Sequence, residues 1–197
     1  MSFVVVDRAL LADHATVVAP RLLNKILLRD DGRAVRIVEV EAYGGAEDGA
    51  SHARGGPTAR CAPMFGPPGH LYRYLIYGMH HCANVVTGPD ANGQAVLIRA
   101  GEPVARLDAL RVARPRARRD VELANGPAKL CEAMSIGPAL DGADLCDPSG
   151  LLRLVDDGTA PPRRPGRSTR IGITRDTARR WRWYVPGDPC VSGRSPS

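Results

Sequence analysis

Aromatic residues are scarce in this chain, lysine is nearly absent, and no apolar run is long. Phe, Trp and Tyr together make up 5% of the 197 residues. The apolar runs fall well short of the roughly 20 residues that span a bilayer as a helix, which excludes a membrane-spanning reading. The opening, MSFVVVDRALL, has too short an apolar core and meets Asp7 too early to read as a secretory signal. Cysteine is present five times (Cys61, Cys82, Cys131, Cys146 and Cys190), an odd count with no CxxC pair. That argues against a disulfide framework and for reduced thiols in a cytoplasmic protein. His80, His81 and Cys82 are adjacent, and neighbours on a strand point to opposite faces, so they make a poor ligand set. No metal and no other cofactor is expected.

What is present fits one globular domain large enough to bury a core, residues 1–197 with an ordered part from about 5 to 192. Hydrophobic residues make up 44% and charged residues 24%. There are 27 basic against 21 acidic residues, a formal charge of +6. Such a balance favours a polyanionic partner, nucleic acid or acidic lipid. Only Lys25 and Lys129 are lysines; the remaining basic residues are arginines, suited to bidentate phosphate contact. A general preference for arginine codons explains that bias equally well.

The periodicity predicts a helix over Leu10 to Leu23, limited by Pro20 and closed by a left-handed Asn24. Strands Lys25 to Arg29 and Arg33 to Tyr43 flank a hairpin turn at Asp31-Gly32. A long loop, Gly44 to Pro68, follows; loops of that length are uncommon and often functional. Further strands are expected at His70 to Leu75, Cys82 to Thr87, and Gln94 to Ala100 after an Asn92-Gly93 turn. Helices are expected over Glu102 to Ala113 and from Gly126-Pro127 to near Gly137. Leu151 to Val155, Arg170 to Ile173 and Trp181 to Val185 read as short strands, with Pro161 to Ser168 a basic loop. The carboxyl end after Cys190 is expected to fray. The sum is a mixed α/β, strand-dominated single domain with peripheral helices.

Three of the five tyrosines crowd into YRYLIYGM, residues 72–79. Tyr72 and Tyr74 share one strand face, whereas Tyr77 has the other parity and stands directly before Gly78. A ring at a turn suggests a planar partner, and a nucleic-acid base offers a face for stacking. Core packing accounts readily for Tyr72, evenly for Tyr74 and poorly for Tyr77. The strand RIVEVEAY carries Glu39 and Glu41 on the face of Tyr43, an odd pattern for a half-buried strand. Glu39 reads best as a solvated residue pairing with arginines across the hairpin. Glu41 abuts the long loop, where a carboxylate beside aromatic walls gains proton affinity and can serve as a general base. His52 lies in SHARGG, where glycines allow close backbone approach. Arg99 interrupts the apolar AVLIRA and calls for a buried carboxylate or a phosphate. Asn84 needs no more than a backbone partner.

The ordered blocks RIVEVEAY, SHARGG, MFGPPGHLYRYLIYGM, NVV, LIRAGEP, GPAKLCEAM, RIGI and WRWYVPGDPCVS resemble the alkyladenine (3-methyladenine) DNA glycosylase family, the mammalian-type monofunctional enzyme with bacterial members. The likeness spans roughly Asp7 to Ser192. It implies an α+β single domain around a curved antiparallel sheet, similar to the C-terminal domain of methionyl-tRNA formyltransferase. It also implies a base-flipping hydrolase acting on damaged purines such as 3-methyladenine, hypoxanthine or ethenoadenine in double-stranded DNA, a monomer associated with the nucleoid only through DNA. By the same resemblance Glu41 matches the base that activates water, and Tyr43 and Tyr74 the rings that sandwich the flipped base, with His52 at the pocket wall. Tyr77 matches the intercalating wedge, Asn84 the position that disfavours guanine, and Arg99 a pocket arginine near the phosphate. A lyase would need an amine nucleophile, and neither lysine lies in these blocks.

Cys61, Arg73 and His81 depart from the family pattern, at positions where asparagine, a small apolar residue and a large aromatic are usual. Of the basic segments, Arg111 to Arg119 reads as solvated surface, while Arg163 to Arg182 stays open between surface and DNA backbone. Two rival readings use the same residues: a non-catalytic nucleic-acid-binding module, and a small-molecule hydrolase with a Glu39/Glu41 acid–base pair. The second leaves Tyr77 unexplained.

Overall fold

In the computed structural model, which describes residues 3–193, the strands are β1 (Val4–Val5), β2 (Ile26–Arg29), β3 (Ala34–Tyr43), β4 (Leu71–Ile76), β5 (His80–Thr87), β6 (Gln94–Ala105), β7 (Leu152–Asp156), β8 (Gly166–Ser168) and β9 (Arg182–Tyr184). The α-helices are α1 (Ala15–Leu22), α2 (Leu107–Ala113) and α3 (Pro127–Ala133). All strand pairings are antiparallel, in the order β1-β7-β2-β3-β6-β5-β4, with β9 joining β3 and β8. The result is a curled sheet in a single α+β domain.

The ten-residue β3 organises this sheet. One edge pairs with β6 along its whole length. Its other edge is shared: β2 covers Ala34 to Arg36 and β9 covers Glu39 to Glu41. Only Arg36, of its first nine residues, is less than fully buried, so apolar side chains go to both faces. Against one face lies α1, whose Ala15, Val18, Ala19 and Leu22 fall at helical spacing and are all buried. Leu130 and Met134, on and just after α3, extend the same core. Each fully buried leucine contributes about 1.5–3 kcal/mol relative to exposure, so this cluster carries most of the fold. His14 caps α1 through its side chain. Pro20 lies inside the helix, which ends two residues later, and Asn24 takes the left-handed conformation (φ 68°).

The pairing of β3 with β6 is irregular around Glu39. Register passes from Ile37–Gly101 to Glu39–Ala100 and then to Val40–Ile98. Val38 on β3 and Arg99 on β6 therefore stand without an opposite residue. Such bulges re-aim side chains.

Four local expectations are corrected. Glu102 to Ala105 is not helical; it extends β6, pairing with β3 through Glu102–Arg36 and Pro103–Val35, and α2 begins only after the left-handed Arg106. Pairing with a distant strand outweighed local helix preference. Arg170 to Ile173 is not a strand, and the expected basic loop instead contributes β8. The carboxyl end does not fray at Cys190: Cys190 and Ser192 are buried, and Ser192 donates its backbone N–H to Glu39 at 2.6 Å. Residues 194–197 lie outside the described residues.

Between β3 and β4, the loop 44–68 is held by an Asx-type cap: Asp48 accepts the N–H groups of Gly44 and Ala50 at 3.1 Å each. Ala53, Cys61 and Met64 pack with Tyr72, Val86 and Ala95 and fasten the loop to the sheet. Gly45 turns here with φ 68°, and a Cβ on it would meet the Asn92 carbonyl oxygen at 2.5 Å. Gly45→Ala is expected to lower unfolding free energy by about 1–3 kcal/mol, measured by denaturant titration. Gly55→Ala, where nothing lies within 4 Å, is the comparison and should change little. Equal stability of the two variants would show that the loop is not held as described.

Candidate active site

The sheet, the 44–68 loop and the segment before β9 enclose a cavity of about 400 Å³. Tyr43, His52, Tyr72, Tyr74, Asn84, Arg99 and Ile171 are among its lining residues, and Tyr77 stands on its rim. All the pocket residues expected from the sequence are thus brought together, with one qualification of placement. Glu41 does not line the cavity; it is fully buried immediately behind the wall. Its three contacts are all lining residues. Oε2 accepts the Tyr43 hydroxyl at 3.0 Å, Oε1 accepts the Ile171 N–H at 2.8 Å, and Arg99 Nη1 lies 3.3 Å from Oε1.

Burial dominates the Glu41 environment and raises its proton affinity above that of an ordinary glutamate, against the opposing effects of Arg99, Ile171 and Tyr43. Burial and then Glu41 likewise push the Tyr43 hydroxyl well up, so it stays a donor. Tyr74 is also pushed up by burial, and Tyr72 reaches about 12. His52 Nδ1 lies 2.9 Å from the Tyr72 hydroxyl, and its ring stands edge-on to Tyr74 at 4.7 Å. Burial and the nearby Arg60 lower its pKa, so the imidazole is neutral at pH 7. Tyr72 and Tyr74 are stacked at 5.7 Å. Asn84 donates to the Tyr72 carbonyl at 3.0 Å, which fixes its amide.

Tyr77 follows from the hairpin of β4 and β5. Tyr77 and Gly78 both have positive φ (53° and 68°), and Met79 N–H bonds back to the Ile76 carbonyl. That is a primed hairpin turn, in which asparagine or glycine is the usual first central residue. A tyrosine there carries backbone strain, and the residue is 84% exposed.

Glu39 contradicts its expected solvated placement. It is fully buried, accepting Arg99 Nε at 2.8 Å, Arg182 Nε at 2.6 Å and the Ser192 N–H. Its strand lies between β6 and β9, so arginines from those two strands reach it inside the protein and not across an exposed hairpin. Sequence reading also missed Asp48 and Arg170, a fully buried pair. Arg170 donates to both Asp48 carboxylate oxygens and to the Ala42 carbonyl, and lies 4.8 Å over the Tyr43 ring. No local signal marks that pair, because its partners are more than 100 residues apart. Of the departures, Arg73 and His81 approach each other at 3.3 Å and line no part of the cavity, while Cys61 packs beneath the loop. Arg111 and Arg119 are tied up in surface pairs with Asp120 and Glu122. The second basic segment supplies interior residues, Arg170 and Arg182, and the lining residue Arg175.

Among the described residues no group of three or more His, Cys, Asp or Glu side chains could hold a metal, and no helix is long and apolar enough to cross a membrane. Arg54, Arg60, Arg99 and Arg175 are among the lining residues. The chain belongs to the methylpurine-DNA glycosylase family, whose model matches residues 9–189, and it is a DNA glycosylase, a DNA-repair enzyme. It is 56% identical over 189 residues (96% of the chain, 91% of the relative) to a Burkholderia lata protein named "Putative 3-methyladenine DNA glycosylase". Relatives bearing the same name are 50% identical in Methanocella arvoryzae (91% of each chain) and 46% identical in Streptomyces avermitilis (89% and 84%).

A carboxyl whose folded pKa is raised adds stability only while protonated. That contribution is full below the unfolded value of about 4.3 and is lost as pH rises through the folded one. At pH 7, above the unfolded value, Glu41 therefore costs stability. Glu41→Gln is expected to unfold at the same or a higher temperature than the parent at pH 7, with the gap narrowing towards pH 5, as read by thermal denaturation. A markedly less stable variant at pH 7 would refute a raised Glu41.

Proposed function

We propose that the enzyme removes alkylated or deaminated purines (3-methyladenine, hypoxanthine or ethenoadenine) from double-stranded DNA, holding the base out of the helix while water cleaves the bond to its sugar. The observation that carries this reading is the buried Glu41 carboxylate, whose hydrogen-bond and ion-pair partners Tyr43, Ile171 and Arg99 all line the cavity. Tyr43 and Tyr74 offer faces for the everted purine, and His52, neutral and edge-on to Tyr74, closes the wall. Each base–aromatic stack is worth about 1–3 kcal/mol, which offsets the few kcal/mol lost when a base leaves the duplex. Tyr77 fills the gap left behind. Asn84, fixed by the Tyr72 carbonyl, crowds the exocyclic amine of guanine. Arg99 faces the nucleotide's phosphate side and also carries the charge that holds Glu41.

In the reaction Glu41 takes a proton from water, the oxygen bonds to the sugar carbon, and the purine departs with the electrons of the glycosidic bond. Positive charge on the sugar at the transition state is stabilised by the same carboxylate. Glu41 is closed off by the Tyr43 hydroxyl at 3.0 Å, and release of that contact as the base stacks gives water its place. One copy of the chain supplies all of these groups, which supports a monomer acting as one glycosylase domain. Glu39 has no access to the cavity and pairs with two arginines, which disfavours a Glu39/Glu41 acid–base pair.

Glu41→Gln is expected to slow base release from duplexes with one defined lesion by at least about a hundredfold, followed by chromatography of the freed base, while DNA binding is retained. Undiminished release would remove Glu41 from the chemistry. Tyr77→Ser should leave the unfolding temperature unchanged, since the ring is exposed. It should slow excision of a well-paired lesion such as hypoxanthine opposite cytosine more than of the same lesion opposite an abasic site. An equal loss on both substrates would count against a wedge.

A further inference from the structure

Two glutamates share Arg99, but unequally. Glu39 takes its Nε at 2.8 Å, and Glu41 receives only the longer Nη1 contact of 3.3 Å. Glu39 is itself held from three directions: Arg99 on β6, Arg182 on β9 at 2.6 Å, and the backbone N–H of Ser192 at 2.6 Å. Ser192 closes the ring, accepting Arg99 Nη2 on its hydroxyl at 3.3 Å and Arg182 Nη2 on its carbonyl at 2.9 Å. Each of the four charged groups is at most 9% exposed, and their formal charges cancel. The missing register partner of Arg99 is what allows one guanidinium to reach carboxylates two residues apart on β3.

We propose that Glu39 is a positioning residue for glycosidic-bond hydrolysis: by drawing Arg99 towards itself it prevents a bidentate clamp on Glu41 and leaves that carboxylate available to water. This rests on Glu41 being the base, and it assigns Glu39 no contact with substrate. A planar guanidinium left with one carboxylate turns both N–H groups to it. Without Glu39, Arg99 would do so with Glu41, making it a weaker and less accessible base. Glu39 also opposes ionisation of Glu41 directly through like charge, among the other groups that face it: Arg99, Arg170, Tyr43, Tyr74 and Cys82, with Arg182 behind Glu39.

Single-turnover excision against pH, with the parent protein, Glu39→Gln, Glu39→Asp and Glu41→Gln on the same lesion duplex, tests this. Glu39→Gln should lose about ten- to a hundredfold at the plateau, move the acid limb to lower pH, and bind DNA as the parent does. Glu39→Asp keeps the charge and should hold the acid limb near its original place. An acid limb of Glu39→Gln that superimposes on the parent's overturns the proposal. If Glu39→Gln does not fold, a Glu39→Asp limb displaced to lower pH overturns it and an unmoved limb supports it. Full activity in Glu41→Gln would instead defeat the reading of Glu41 as the base, whatever Glu39 does.

Discussion

Arg99, set between two buried carboxylates, is the contact on which the rest of the site depends. Neither Glu39 nor Glu41 has any exposure, and burying an unpaired carboxylate costs several kcal/mol. One guanidinium serves both because Arg99 falls at the bulge where β6 loses register with β3. Arg182 from β9 and the Ser192 N–H complete the compensation. These five groups therefore tie β3, β6, β9 and the segment at Ser192 together. Loss of Arg99 would leave both carboxylates short of a partner, loosening the sheet and altering Glu41 at once.

A second buried pair does similar work on the other side of Glu41. Arg170 and Asp48 are enclosed completely, with Asp48 fixing the 44–68 loop and Arg170 covering one face of Tyr43. The residue after Arg170 presents its N–H to Glu41. A loop of that length costs conformational entropy on ordering, and this pair, with the small cluster under Cys61 and Met64, offsets it. His52 is consequently held by backbone that would otherwise be free.

Local cost is concentrated around the cavity. Glu41 is a carboxylate in an environment that disfavours its charge, and Tyr77 is a bulky residue at a left-handed turn with its ring in solvent. Natural proteins tolerate such violations at sites and compensate in the core. Here the compensation is the apolar cluster between β3, β6, α1 and α3. Tyr72, one residue pair away from Tyr74 on the same face, obeys the ordinary rule: its ring is buried and its hydroxyl bonded.

Much of this was legible in the chain. Alternation and turn residues marked β3, the β4–β5 hairpin and the Asn92-Gly93 turn, because those depend on neighbours a few positions apart. Tyr77 stood out for the same reason: a large ring directly before a turn glycine is a local anomaly. The family resemblance carried the pocket residues, and every one of them lies at or directly behind one cavity. Tertiary structure alone decided that Glu39 is interior, that residues 102–105 are strand, that Asp48 meets Arg170, and that Ser192 is latched to the sheet. Each of those depends on long-range pairing or on a bulge. Side-chain alternation tells which residues share a face of one strand. It does not tell what covers that face, or where register slips by a residue and turns an arginine towards two acids.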